Sequence, residues 1–262
     1  MLLYGKPVVA KLRDQQAARI AASGITPRLA IIQAGSDLAS TTYIKMKQRY
    51  GQSIGARVDH HTTASELAAL RTLIQTLNND ASVHGIILQL PLPDTTITEQ
   101  AVALIDPDKD VDGLGGHARF QSATAMAVLQ LLSAYHIELA GQPVAMVGHG
   151  RLVGAPLARL LTQRDATVSV CDEHTADVPA ITRAATIIIS ATGVAGLIKP
   201  DMVQDGAVVV DVGTAEDSGA IVGDVDPRLL NNQTLKISPA KGGVGPVTVA
   251  MLFEQLLTAA AI

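Results

Sequence analysis

Short apolar runs alternating with stretches of helical spacing constrain this chain more than any other feature. Residues 29–32 (LAII), 85–88 (GIIL), 144–147 (VAMV), 186–190 (TIIIS) and 207–211 (AVVVD) are brief and rich in Val, Ile and Leu. Runs of that length without polar alternation suit strands buried on both faces, which belong to parallel sheets covered by helices. Residues 58–61 and Thr167–Cys171 read as further short strands. Val8, Val9, Leu12, Ala17 and Ile20 recur at helical spacing. More helices are expected over 40–50, 66–77, 152–163 and 247–261, with residues 35–37 as the exit loop of the first strand. Strand, helix and strand in repetition mean βαβ units. The series restarts near residue 143, so two α/β domains are expected, divided near residue 120 inside a bridging helix.

Composition agrees and excludes several classes. Hydrophobic residues make up 48% of the 262 residues but aromatics only 2%, with no Trp. The core must therefore be built from Ala, Val, Ile and Leu, as in parallel α/β layers. The net charge of −4 and the lack of a basic run argue against a nucleic-acid partner. No apolar stretch reaches the roughly 18 residues that span a bilayer, and Lys6 and Lys11 interrupt any signal-like segment. The single Cys171 excludes an internal disulfide and fits a reducing compartment. A cytoplasmic protein with no membrane partner is expected. The seven His residues show no ligand spacing such as HExxH, so no metal is expected.

Two segments carry candidate chemistry. The run 85–88 ends in Gln89, and Pro91 and Pro93 then stop the strand because they cannot donate to a ladder. A neutral amide at that point is placed to meet a ligand, since crevices open at the carboxyl ends of parallel strands. Residues 106–113 (DPDKDVDG) follow, with Asp112 directly before Gly113. The second segment is 147–154 (VGHGRLVG), a glycine-rich turn between a strand and a helix. Gly148, Gly150 and Gly154 there allow a tight turn and close backbone approach, and a helix N-terminus offers N–H groups to a pyrophosphate. Asp172 closes the next strand, where a carboxylate can bond both ribose hydroxyls of NAD and repel a 2′-phosphate. A structural turn with a strand-end Asp would leave the same residues.

In order along the chain, the segments Tyr43-Ile-Lys-Met-Lys47, QLPLP with DKDVDG, Val153-Gly-Ala-Pro156 and GGVGPVT (242–248) resemble the methylenetetrahydrofolate dehydrogenase/cyclohydrolase family of the FolD type. The resemblance covers almost the whole chain. It implies a folate-binding catalytic domain over 1–120, to which a final helix over 247–262 returns, and a Rossmann-like NAD(P)-binding domain over 121–246. It also implies an interdomain cleft for folate, a homodimer, and a place in the one-carbon metabolism that supplies purine biosynthesis. Tyr43 would stack on the folate, Lys47 would be the central catalytic group, Gln89 would hold it, and Asp112 would bond the pterin. Gly243 and Pro246 would line the substrate site. Thr124, Gly148, His149, Gly150, Gly154, Asp172, Glu173, Thr214 and Thr248 would meet the dinucleotide.

The chain departs from the family where the 2′-phosphate of NADP would lie. His149-Gly150 stands in place of Arg-Ser, and Asp172-Glu173 in place of a polar, often basic pair. Losing a bidentate guanidinium and gaining carboxylates should cost about 2 kcal/mol or more of NADP binding. NAD is therefore expected over the family's NADP, unless Arg151 reaches the phosphate. Ser122-Ala-Thr-Ala125 keeps only Thr124 of the family's Pro-Cys-Thr-Pro, Thr214 replaces an Ile, and Ala240-Lys241 replaces Val-Pro. The implied activity is oxidation of 5,10-methylenetetrahydrofolate to the methenyl form, then hydrolysis to 10-formyltetrahydrofolate. Two alternatives stay open: a monofunctional NAD-linked dehydrogenase, and a non-catalytic paralogue that binds nucleotide or folate.

Overall fold

The computed structural model describes residues 1–35, 38–217 and 220–262. They form two compact units, Ala10–Ala123 with Val249–Ile262, and Met1–Val9 with Thr124–Thr248. The division thus falls in the first turn of a helix, α5 (Ala123–Ala134), and residues 113–122 before it are turns and extended chain.

The unit that holds residues 10–123 is built on a three-stranded parallel sheet. Its strands are β1 (Arg28–Ala34), β2 (Arg57–Thr63) and β3 (Gly85–Leu88), in the order β2-β1-β3. Leu29 sits opposite Val58 on one side and Gly85 on the other. The covering helices are α1 (Gly5–Ser23), α2 (Leu38–Ile54), α3 (Leu67–Asn79), the short α4 (Thr98–Val102) and the later turns of α8 (Val244–Ala259). Successive residues of β1 feed opposite layers, as the period of two requires. Leu29 and Ile31 pack with Ile44, Val111, Phe253 and Leu256, whereas Ala30 and Ile32 pack with Leu70, Ile74 and Ile86. Each fully buried Leu or Ile contributes roughly 1.5–3 kcal/mol. Gly51 lets α2 approach the sheet, since a Cβ there would stand 2.5 Å from Val58 Cγ2 and 3.0 Å from the Phe253 ring. The fully buried Gln16 on α1 ties these helices together. It donates to Ala250 O and Glu254 and accepts from the Tyr50 hydroxyl at 2.8 Å.

The other unit is a five-stranded parallel sheet of β4 (Pro143–Val147), β5 (Thr167–Cys171), β6 (Ile187–Ser190), β7 (Val208–Asp211) and β10 (Lys236–Ile237). Their order is β10-β7-β6-β4-β5. Helices α6 (Gly154–Thr162) and α7 (Val178–Ala184) connect strands, and β8 (Ala215–Asp217) and β9 (Ala220–Val222) pair as an antiparallel ribbon. The chain leaves β4 toward β5 and returns to β6 on the opposite side, so a topological switch point lies at the carboxyl end of β4. Leu2 bridges Ile237 at the far edge, and the Leu3 N–H donates to Ile237 O at 2.8 Å.

The expected strands and helices appear, with ends moved by a few residues. The helix expected from residue 152 starts at Gly154, because residues 151–153 form a turn. The exit loop expected over 35–37 lies, beyond Gly35, outside the described residues. The edge strand β10, the ribbon of β8 and β9, and α4 were not expected; each is short, and β10 is placed by its pairing with β7, distant in sequence.

Candidate active site

Helix α2 carries Tyr43 and Lys47 four positions apart, which places both side chains on one face. Ile44, between them, turns into the core and fixes the helix on the sheet. Lys47 Nζ donates to Gln89 Oε1 at 2.9 Å. Gln89 follows β3, its N–H donates to Ile32 O at 2.9 Å, and its Nε2 donates to Leu90 O at 2.8 Å. Occupation of the amide nitrogen leaves the oxygen for the lysine. Burial lowers the Lys47 pKa, and the negative charge of Asp112 opposes that shift. Burial raises the Asp112 pKa, with Lys47 opposing and Asp110 adding to the rise. The structure thus brings Lys47, Gln89 and Asp112 together.

The DKDVDG turn is organised by a carboxylate that its sequence alone does not single out. Asp110 is 2% exposed and accepts the N–H groups of Gly113 (3.1 Å) and Gly115 (2.7 Å). Burial raises its pKa, opposed by those bonds and by the backbone of Leu114 and Asp112. The alternation of its Asp residues was the available signal: Asp110 faces in to bind the turn, and Asp112 acts on Lys47 through its charge. Gly113 has φ of +68°, and a Cβ there would overlap the backbone of Gln121. Lys109 Nζ donates to the carbonyls of Leu77, Asn78 and Asp80 and anchors the turn to the end of α3.

In the other unit, the glycine turn sits at the carboxyl end of β4. Gly148 has φ of +92°, and a Cβ there would lie 2.7 Å from Ala191 O. A Cβ on Gly154 would overlap Gly148 O, whereas nothing stands within 4 Å of that position on Gly150. No side chain caps α6 at Val153. Close glycines below an uncapped helix start fit a dinucleotide pyrophosphate. His149 and Gly150 are exposed, as are Asp172 and Glu173 beyond β5. Asp172 Oδ1 accepts from the His174 N–H and Thr175 Oγ1, each at 3.0 Å, and these bonds hold its carboxyl below the usual pKa. Cys171 is fully buried in the core, and burial pushes its thiol up.

The remaining candidates are spread over three elements. Thr124 is partly buried at the start of α5, Thr214 is exposed between β7 and β8, and Thr248 bonds within α8 to Val244 O at 3.4 Å. Among the described residues no hydrogen bond joins these three. Gly243 is buried where the Gly5 N–H meets Gly242 O at 2.8 Å, and Pro246 lies in the first turn of α8. A Cβ on Gly5 would overlap Gly243 O, so close chain packing accounts for these glycines. Among the described residues no group of His, Cys, Asp and Glu could hold a metal ion, and no helix is long and apolar enough to cross a membrane.

Known proteins are similar to both units. Residues 3–112 match the model of the tetrahydrofolate dehydrogenase/cyclohydrolase catalytic domain, and residues 122–262 match that of the same family's NAD(P)-binding domain. The bifunctional protein FolD of Methanosarcina barkeri is 39% identical, covering 98% of this chain and 94% of the relative. The crystal structure of the bifunctional FolD methylenetetrahydrofolate dehydrogenase/cyclohydrolase from Campylobacter jejuni superposes with a TM-score of 0.93. It is 38% identical and covers 100% of this chain and 98% of that one. The Trypanosoma brucei enzyme, solved with NADP and an inhibitor, gives a TM-score of 0.92 at 31% identity, covering 99% and 96% of the two chains. Matches along nearly the whole length, in sequence and in fold, show that this chain belongs to the tetrahydrofolate dehydrogenase/cyclohydrolase family.

Proposed function

We propose that this protein oxidises 5,10-methylenetetrahydrofolate to the 5,10-methenyl form with NAD(P), and hydrolyses that product to 10-formyltetrahydrofolate. The observation that carries the reading is a lysine of lowered pKa held by a neutral amide, Lys47 Nζ on Gln89 Oε1 at 2.9 Å. Gln89 orients the amine without supplying a charge that would restore an ordinary pKa. When bound, the nicotinamide supplies the hydride acceptor for the first step. Tyr43, on the Lys47 face of α2, offers a ring for stacking the folate, and Asp112 offers an acceptor for the pterin. The oxidation needs mainly that positioning. In the hydrolysis, water adds to the methenyl carbon and its proton passes to the neutral Lys47 amine. The ammonium then returns a proton to a ring nitrogen as the carbon–nitrogen bond breaks, and the hydroxyl on that carbon releases its proton to solvent as the formyl carbonyl forms.

NAD is the preferred dinucleotide in this reading. The Asp172 carboxylate is held ionised at the end of β5, and Glu173 stands exposed beside it. Both would face a 2′-phosphate with like charge, and His149 lacks the fixed fork of an Arg. The homodimer is carried over from the family resemblance. The test is an assay of methylenetetrahydrofolate with NAD and with NADP that follows methenyl formation and decay separately. Formation and decay both accelerated by the protein, with NAD the better oxidant, is the expected result. Formation without accelerated decay would favour a dehydrogenase alone, and neither would favour a binding protein.

A further inference from the structure

Two carboxylates play no part in this chemistry and yet are shut inside the dinucleotide-binding unit. Asp211 closes β7 at 4% exposure, and Asp224 is fully buried. A buried carboxylate is costly unless hydrogen bonds replace its hydration, so the donors gathered around it are informative. Asp224 Oδ2 accepts three bonds, from Ser190 Oγ at 2.7 Å, the Thr192 N–H at 2.7 Å and Thr192 Oγ1 at 2.8 Å. Asp211 secures Asp224 from behind. Its Oδ1 accepts the Asp224 N–H and its Oδ2 the Val225 N–H, each at 3.1 Å. Two glycines make room for this arrangement, since a Cβ on Gly213 would overlap the Asp224 carboxylate and one on Gly223 the Asp211 carboxylate.

The groups that Asp224 holds form the exit of β6, and that exit leans on the glycine turn. The Ala191 N–H donates to Val147 O at 2.8 Å, at the end of β4. A Cβ on Gly148 would stand 2.7 Å from Ala191 O and 2.9 Å from Thr192 Cγ2. The position of residues 190–192 therefore sets the wall of the crevice at the switch point, directly against Gly148. Without the Asp224 carboxylate, the Ser190 hydroxyl and both Thr192 donors lose their shared acceptor, and that wall is free to move.

We infer that Asp224 is a positioning residue for dinucleotide binding, holding Ser190 and Thr192 so that the β6 exit braces the Gly148 turn. The inference rests on the reading of that turn as the dinucleotide site. It is tested on the full chain with Asp224→Ala, Asp224→Asn and Thr192→Val. Three quantities are read: the Kd for NAD by calorimetry, the thermal midpoint, and methenyltetrahydrofolate hydrolysis, which needs no dinucleotide. Asp224→Ala should bind NAD about tenfold or more weakly while hydrolysis stays within about twofold. Asn keeps an acceptor oxygen, so Asp224→Asn should recover most of the affinity. Thr192→Val removes one donor and should weaken NAD about threefold, and it decides the matter if Asp224→Ala does not fold. Unchanged NAD affinity in the folded Ala variant, or in Thr192→Val if the Ala variant is unfolded, would overturn the inference. So would equal loss of NAD binding and hydrolysis, which marks a merely structural role. A parent protein that binds neither NAD nor NADP would remove the underlying reading and the inference with it.

Discussion

Replacing Asp211 with Asn should alter how the stability of this protein depends on pH. Burial, opposed chiefly by the N–H groups of Val225 and Asp224, pushes the Asp211 carboxyl up from its ordinary 3.8 to about 6. A raised carboxyl pKa means that the folded chain binds the proton more tightly than the unfolded chain. Its favourable contribution is complete below about pH 3.8 and is lost as pH rises through about 6. The rise from 3.8 to about 6 amounts to about 3 kcal/mol in full, of which about 2 kcal/mol falls between about pH 4.5 and 7.5. Asn does not titrate, and ionisable groups away from this pair largely cancel when variant and parent are compared at each pH; the charge of Asp224, which adds to the rise, is part of the difference. Urea unfolding of both proteins, followed by far-ultraviolet circular dichroism across that range, gives the difference. The stability of the parent relative to the variant should fall by about 2 kcal/mol from the acid end to the neutral end. A difference that stays constant, or grows in the parent's favour with pH, would refute the assignment of a raised pKa to Asp211.

Two further outcomes concern the ligand sites. Asp112→Ala should raise the folate KM or lower turnover by an amount worth about 1–3 kcal/mol, because it strands the pterin donors. Its Kd for NAD should not change, as steady-state kinetics and calorimetry on one preparation would show. The parent should give the higher kcat/KM with NAD, and the double substitution Asp172→Ser with His149→Arg should move the preference toward NADP. A parent that favours NADP by tenfold, about 1.4 kcal/mol, would place the phosphate on another cation.

Much of the fold was legible because five of its strands are buried along nearly their whole length. The apolar runs at β1, β3, β4, β6 and β7 announce themselves without alternation, and β1 divides its residues between two core layers. Edge elements were less legible. β10 is two residues long and is defined by its pairing with β7, while Leu2 joins it from the opposite end of the chain. In the candidate site, the spacing of Tyr43 and Lys47 could be read from the helix, but the bond from Lys47 to Gln89 spans 42 positions. Only the family motifs joined those two residues in the sequence. Asp110, Asp211 and Asp224 are less legible in the sequence because their importance lies in backbone N–H groups and, for Asp224, in the Ser190 and Thr192 hydroxyls that tertiary folding gathers. Asp at the end of VVVD, with Gly213 just beyond and Gly223 before Asp224, was a visible sign of the last two.

Hydrolysis of methenyltetrahydrofolate by Lys47→Met decides whether this lysine moves the proton. Met keeps the length and apolar character of the side chain but cannot donate to Gln89 Oε1 or exchange a proton. Catalysed methenyl decay should disappear while the Kd for NAD stays within about twofold of the parent. Decay at the parent's rate in a variant that still binds NAD would contradict it and remove Lys47 from the acid/base role.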